Sequence, residues 1–347
     1  MKRTFSLLIT TAALLAQQPP VSNAKLETAR AAEGLEQAVR AATAKQSGPA
    51  WIGYAIPRIP SDGNSCCWNN NNYGCGLEGQ RTSTGTAPAG PVKLEGPTHE
   101  NVLLRVEGGT IGKIRSFSMD CPLDAGGLPF HWLTDVNAAQ SVAFLSGYVV
   151  AGQGVREKDR MTDGALHAIA QHAGADAAKA LERFASSGAN ENIRKKSLFW
   201  LANSRGAEGY RVVERALRED PSEKVREHAI FCLTQSKEAG AIPAIVRAAK
   251  EDASVKVRGQ ALFWLAQRAS AQAQKAISEA IQNDPNTEVK KKAVFALTQL
   301  PKDEGTPLLI QVARTNTNPA VRKQAMFWLG QSKDPRALKF FEEVLAR

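Results

Sequence analysis

The chain holds 347 residues, of which 43% are hydrophobic and 22% charged. That composition excludes an intrinsically disordered protein and gives enough apolar material for one or two sizeable cores. A formal charge of +10, from 44 Lys and Arg against 34 Asp and Glu, suits nucleic acid, anionic lipid or acidic partners.

Lys2 and Arg3 precede an apolar stretch from Phe5 to Ala16, with small residues at Ser22 and Ala24. Residues 1–24 therefore read as a secretory leader cleaved near Ala24. The apolar stretch is shorter than the ~20 residues that span a bilayer. No later segment is apolar enough to do so, and no transmembrane segment is expected after cleavage. A periplasmic or secreted location follows, which sets nucleic acid aside as a partner.

Residues 25–45, rich in Ala, Glu, Lys and Arg, read as a helical spacer. Residues 46–152 read as a small α+β domain. Ala50–Ile59 is a strand, and Asn101–Met119 a hairpin turning at Gly108 and Gly109 with a bulge in its alternation. A loop over Asp120–Val136 leads to a helix at about Ala138–Val150. Between strand and hairpin, a stretch dense in Gly, Asn and Pro needs cross-links to hold a shape. Cys66, Cys67, Cys75 and Cys121 supply them in an oxidising compartment. Because a bridge between neighbours is strained, Cys66 or Cys67 is expected on Cys75 and the other on Cys121. Their spacing is not a zinc-finger pattern, and no metal or cofactor is expected.

Beyond the joint at Gly152 and Gly154, one constant period governs the chain. Phe199, Phe231, Phe263, Phe295 and Phe327 keep it. So do the columns Ile193/Val225/Val257/Val289/Val321, Arg194/Arg226/Arg258/Lys290/Arg322 and Leu201/Leu233/Leu265/Leu297/Leu329. Ala165, His167 and Ile169 stand one such period before Ser197, Phe199 and Leu201, a degenerate first repeat, so the array is expected over 156–347. Each unit reads as two helices. Asp220, Asp252, Asp284 and Asn316 are placed to cap the helix that follows, and Pro221 and Pro285 to stop the one before.

The pattern Asp252, Val257, Arg258, Ala261, Leu265 resembles the HEAT repeat family, in the short form first described in phycobilisome lyases. The resemblance implies antiparallel helix pairs stacked into a curved, right-handed α-solenoid. It also implies that the helix carrying these columns lies on the concave side, and that protein binding is the commonest role. The fold class is then mainly α, a solenoid preceded by a small disulfide-containing α+β domain. The family commonly has a polar residue where this chain has its phenylalanines.

On a helical wheel with Val257 at zero, Val257, Ala261, Trp264 and Leu265 share one apolar face, and the Phe column falls at about 240°, opposite that face. Beside it run Asn203, Gln235, Gln267, Gln299 and Gln331 on one flank, and Lys195, Lys291 and Lys323 with Glu227 and Gly259 on the other. These columns are the expected binding strip: amides for a peptide backbone, rings for apolar groups, lysines for an anionic protein partner. The reading is a non-enzymatic exported scaffold. The alternative is a small-ligand or hydrolase module in the N-terminal domain, with Asp120, Cys121, Asp124 and His131 as acid, base and nucleophile.

Overall fold

The computed structural model describes residues 18–60, 65–69, 72–79, 96–151, 156–186, 188–268 and 270–346. The chain divides into two compact units, Met1–Ala177 and Ala178–Arg347. Residues 1–17 of the expected leader, most of the turn-rich stretch after residue 60 and the joint glycines lie outside the described residues.

The first unit opens with β1 (Val21–Ser22), β2 (Lys25–Arg30), α1 (Leu35–Ala44) and β3 (Ala50–Pro57). Short strands β4 (Trp68–Asn69), β5 (Asn72–Tyr73) and β6 (Cys75–Gly76) lead to the hairpin β7 (His99–Glu107) and β8 (Thr110–Ser118). Then come β9 (Leu123–Asp124), β10 (Pro129–Thr134), α2 (Ala138–Ser146) and α3 (Arg156–Gln171). The main sheet runs β2-β10-β3-β7-β8, with β10 parallel to both neighbours. A small parallel sheet runs β1-β9-β6.

The hairpin forms as read, because Gly108 and Gly109 adopt φ of 55° and 76°, and the register shifts between Arg105 and Val106. Strand β3 is buried along nearly its whole length, and it reads as an unbroken apolar run because both its faces are covered. On one face Trp51 and Leu103 pack with Phe117, Leu123, Phe130 and Trp132. On the other, Tyr54 reaches Ser141 of α2.

Within the expected leader, β1 pairs with β9, and Val21 and Ala24 pack on the core. Three expectations are corrected here. The spacer 25–45 is not all helix, since Lys25–Arg30 is an edge strand and only Leu35–Ala44 is helical. The loop expected over Asp120–Val136 contains the interior strand β10. Finally, α3 is not a first repeat: it packs on β8 at Gly164, where an added Cβ would stand 2.3 Å from the Ile114 carbonyl oxygen. The unit boundary accordingly lies near Ala177 and not at 152–156.

Between α3 and the sheet lies a buried polar cluster. Arg58 Nε stands 3.1 Å from Glu100 Oε2, and Ser116 shares a 3.0 Å hydrogen bond with His167 Nδ1. Burial drives the Glu100 carboxyl up to about 7 against the opposing pull of Arg58 and Ser116. Burial, aided by Arg58, brings His167 down to about 4.

In the second unit, after α4 (Ala175–Ala185), which crosses the division, five helix pairs follow: α5 (Glu191–Ser204) with α6 (Gly206–Glu219), α7 (Glu223–Gln235) with α8 (Ala241–Glu251), α9 (Val255–Ala266) with α10 (Ala271–Asn283), α11 (Thr287–Leu297) with α12 (Lys302–Thr315), and α13 (Pro319–Gln331) with α14 (Pro335–Leu345). The Val and Leu columns are buried throughout. Odd-numbered helices from α5 to α13 pack side by side, while the even layer is looser. The odd layer is thus the more closely packed of the two, and it is the one that the HEAT resemblance places on the inner side.

The capping expectation was wrong in its residue. Ser254, Asn286 and Asn318, two positions later, accept from the first free N–H groups of α9, α11 and α13. The Asp column instead closes its own turn and holds the Arg column. Asp284 Oδ1 accepts from Asn286 N at 2.8 Å, and its carboxylate is bidentate to Arg258 at 2.8 and 3.2 Å. Arg258 Nη1 also donates back to the Asp252 carbonyl at 2.8 Å. Arg226 repeats this arrangement between Asp252 and the Asp220 carbonyl. Each arginine thus ties two successive turns and sets the repeat spacing.

Candidate functional site

The inner layer exposes what its buried columns leave over. Phe199, Phe231, Phe263 and Phe295 are half-buried, and Phe327, in the last pair, is 54% exposed. Their rings are not separate. Phe199 stacks on Phe231 at 6.4 Å, parallel within 6°, and Phe263 stacks on Phe295 at 6.2 Å, within 3°. Between these stacks Trp264 joins Phe231 at 5.4 Å to Phe263 at 5.3 Å. Trp328 joins Phe295 at 5.1 Å to Phe327 at 5.0 Å, and Trp200 closes the other end on Phe199.

The result is one string of eight rings along the inner face. It corrects the wheel reading, which put the tryptophans on the core face. Each is half-buried and turned onto the ring string, whereas Cys232 and Ala296 in the same column are fully buried. The Cys232 thiol is pushed up by burial, which leaves it inert.

Sequence reasoning missed that tryptophans recur in every second repeat, at Trp200, Trp264 and Trp328, alternating with small side chains. A second alternation matches it. Thr234 and Thr298 stand where Ala202, Ala266 and Gly330 stand in the Trp-bearing helices. Their hydroxyls donate to the Phe231 and Phe295 carbonyls at 2.6 and 2.7 Å. The side chains of this face therefore repeat every two helix pairs.

All five amides are exposed or partly exposed beside the rings. Gln267 donates to Gln299 at 3.4 Å across a repeat junction, and Asn203 donates to the Phe199 carbonyl at 2.7 Å. On the other flank Lys195 lies 3.9 Å from Glu191 and Lys291 3.0 Å from Glu288, both loose surface pairs, and Lys323 is exposed. The arrangement offers apolar rings, swivelling amide donors and acceptors, and cationic tips along one strip.

The alternative cluster in the first unit is not assembled. Cys121 is bridged to Cys66, and Cys67 to Cys75, one of the pairings left open. Asp124 accepts from Asn23 Nδ2 and Gly126 N, while His131 lies between Gln46 at 2.7 Å and Glu27 at 3.3 Å, its register partner on β2. Asp120 is exposed. An open groove of about 730 Å³ between α1 and α2, with Glu36, Arg40, Gln140 and Phe144 in its walls, includes none of these four residues. Among the described residues the one set of side chains spaced to hold a metal is Cys66, Cys75 and Cys121, whose sulfurs are in the bridges. No described helix is long and apolar enough to cross a membrane.

Comparison with known proteins supports the repeat reading. The sequence profile of the HEAT repeats matches residues 210–290 and again 274–347. No curated protein matches the chain. A structure of human deoxyhypusine hydroxylase in complex with glycerol aligns over 59% of this chain and 90% of its own, at 15% identity and a TM-score of 0.26. A structure from the computational design of self-assembling cyclic protein homooligomers aligns over 60% and 82%, at 17% identity and a TM-score of 0.14. Likeness at those scores carries no argument about activity.

Proposed function

We propose that this chain, whose second unit is built of HEAT repeats, is a non-enzymatic exported binding protein that grips a protein segment along its inner face. The observation that carries the reading is the continuous ring string flanked by five amides and the lysines. HEAT arrays commonly serve protein interaction, because a stack of helices presents a long, pre-formed surface. Half-exposed rings bury area with little entropy loss, and the amides pair with a backbone. The excess of 27 Lys and Arg over 18 Asp and Glu in residues 189–347 favours an anionic partner and speeds its approach. Export is supported by the leader composition and by two bridges in the first unit.

The rings also hold neighbouring repeats together, so replacing them costs stability as well as binding. Half-buried as they are, each Phe→Ala exchange should cost about 2 kcal/mol, roughly half the fully buried figure. The amides avoid that ambiguity. A variant with Gln235, Gln267 and Gln299 all changed to Ala should melt within about 2 °C of the wild type. It should lose the protein that the wild type retains on a column loaded with periplasmic extract. Equal retention by both would remove the inner face from the account.

A further inference from the structure

The two disulfides of the first unit are not independent. Cys121 Sγ lies 3.8 Å from Cys75 Sγ, and the sulfurs of Cys66, Cys75 and Cys121 all fall within 4.8 Å of one another. Accessibility is split across the pairs. Cys75 and Cys121 are completely buried in the apolar core with Trp51, Leu123 and Phe130, whereas Cys66 and Cys67 are partly exposed. Each bridge therefore has one outer and one inner sulfur, and the two inner sulfurs touch.

The outer side also carries a cation. Arg115 Nη2 donates to Cys67 Sγ at 3.5 Å, and its Nη1 is fixed on the Gly76 carbonyl at 3.1 Å. The ring of Phe117 lies under its guanidinium at 4.6 Å. A fixed positive charge beside a sulfur favours its thiolate form. In addition the Cys67 backbone N–H donates to Cys75 Sγ at 2.9 Å, which steadies charge on that sulfur as it leaves.

We propose that these four cysteines form a single exchange site for a dithiol reductant, in which reduction enters at the outer pair and the remaining bridge moves to the inner pair. A reductant thiolate attacks Cys67 Sγ, forms a mixed disulfide and expels Cys75 as thiolate. The reductant's second thiol closes on its own sulfur, releases Cys67 and leaves as a cyclic disulfide carrying the two-electron oxidation. The Cys75 thiolate then attacks Cys121 Sγ at 3.8 Å, forms Cys75–Cys121 and expels Cys66, which takes up a proton. Entry at Cys66 gives the same product, since expelled Cys121 attacks Cys75 and frees Cys67. Both routes end with a bridge sealed in the core and an adjacent dithiol, Cys66 and Cys67, facing solvent beside Arg115. That distribution is favoured because a buried thiolate is penalised by desolvation and an exposed one beside a guanidinium is not.

The test is one equivalent of dithiothreitol added to the folded full-length chain, followed by N-ethylmaleimide and peptide mapping, with circular dichroism confirming the fold. The expected two-electron product carries label on Cys66 and Cys67 of the same chain and a Cys75–Cys121 cross-linked peptide. Label on Cys67 and Cys75 with Cys66–Cys121 intact, on Cys66 and Cys121 with Cys67–Cys75 intact, or on all four at once would overturn the proposal. A second measurement concerns the cation: Arg115→Gln should slow labelling of reduced Cys67 at neutral pH severalfold, because the guanidinium that favours the thiolate is gone. An unchanged rate would count against the site.

Discussion

Changing Asp284 to Asn isolates one charge in the ladder that spaces the repeats. The amide keeps the oxygen that accepts from Asn286 N at 2.8 Å, so the turn survives. What disappears is the counter-ion of Arg258, in a pair whose side chains are only 9% and 4% exposed. Stranding a buried guanidinium costs about 3–5 kcal/mol. The chain contains its own control one repeat later, where Lys290 and Asn316 occupy the same two columns. There Lys290 donates to the Gln282 carbonyl at 2.8 Å, while Asn316 still closes its turn on Asn318 N at 3.0 Å. The double variant Arg258→Lys, Asp284→Asn copies that natural pair and should cost only about 1 kcal/mol, because the flexible ammonium reaches a carbonyl and solvent. Urea unfolding followed by far-ultraviolet circular dichroism measures both variants and Arg258→Lys alone. If Asp284→Asn costs under about 1 kcal/mol, or the double variant costs as much as the sum of its parts, the ladder does not set the repeat spacing.

Gly164→Ala should destabilise the first unit by roughly 1–3 kcal/mol, since the added methyl meets the Ile114 carbonyl and α3 must lift from β8. The buried polar cluster predicts opposing pH effects. With its pKa raised from 4.5 to about 7, Glu100 keeps a proton that the unfolded chain releases, so its contribution to stability falls as pH rises from about 4.5 to 7. His167, lowered from 6.5 to about 4, contributes stability that is complete above pH 6.5 and lost as pH falls toward 4. Melting curves across pH 4–8 should therefore show that Glu100→Gln flattens the neutral-side decline and His167→Gln the acid-side decline. A variant with the wild-type pH profile would contradict the corresponding assignment.

The repeats were legible because stacking gives each unit the same surroundings, so Val257 and Leu265 recur with their environment. The role of Asp284 was not, since a side chain closing a turn and one holding an arginine look alike until its partner in the preceding repeat, Arg258, is placed. Trp264 was assigned to the core because a wheel treats a helix alone, whereas Phe231 of the preceding repeat supplies the surface it lies on. In the first unit, Lys25–Arg30 has helical composition but lies as an exposed edge strand on β10, a partner distant in the sequence. Its charges suit such an edge. The cysteine spacing allowed two pairings and could not reveal that the two inner sulfurs touch.

The inner-face account is tested most directly by placing a photo-reactive benzophenone side chain at Gln267, on the amide flank of the ring string, and at Lys275, exposed on α10 of the outer layer. After irradiation in periplasmic extract, a discrete cross-linked protein from position 267 alone, lost when an excess of unlabelled wild-type chain competes, is the predicted result. Equal cross-linking from both positions, or none from 267, would contradict it.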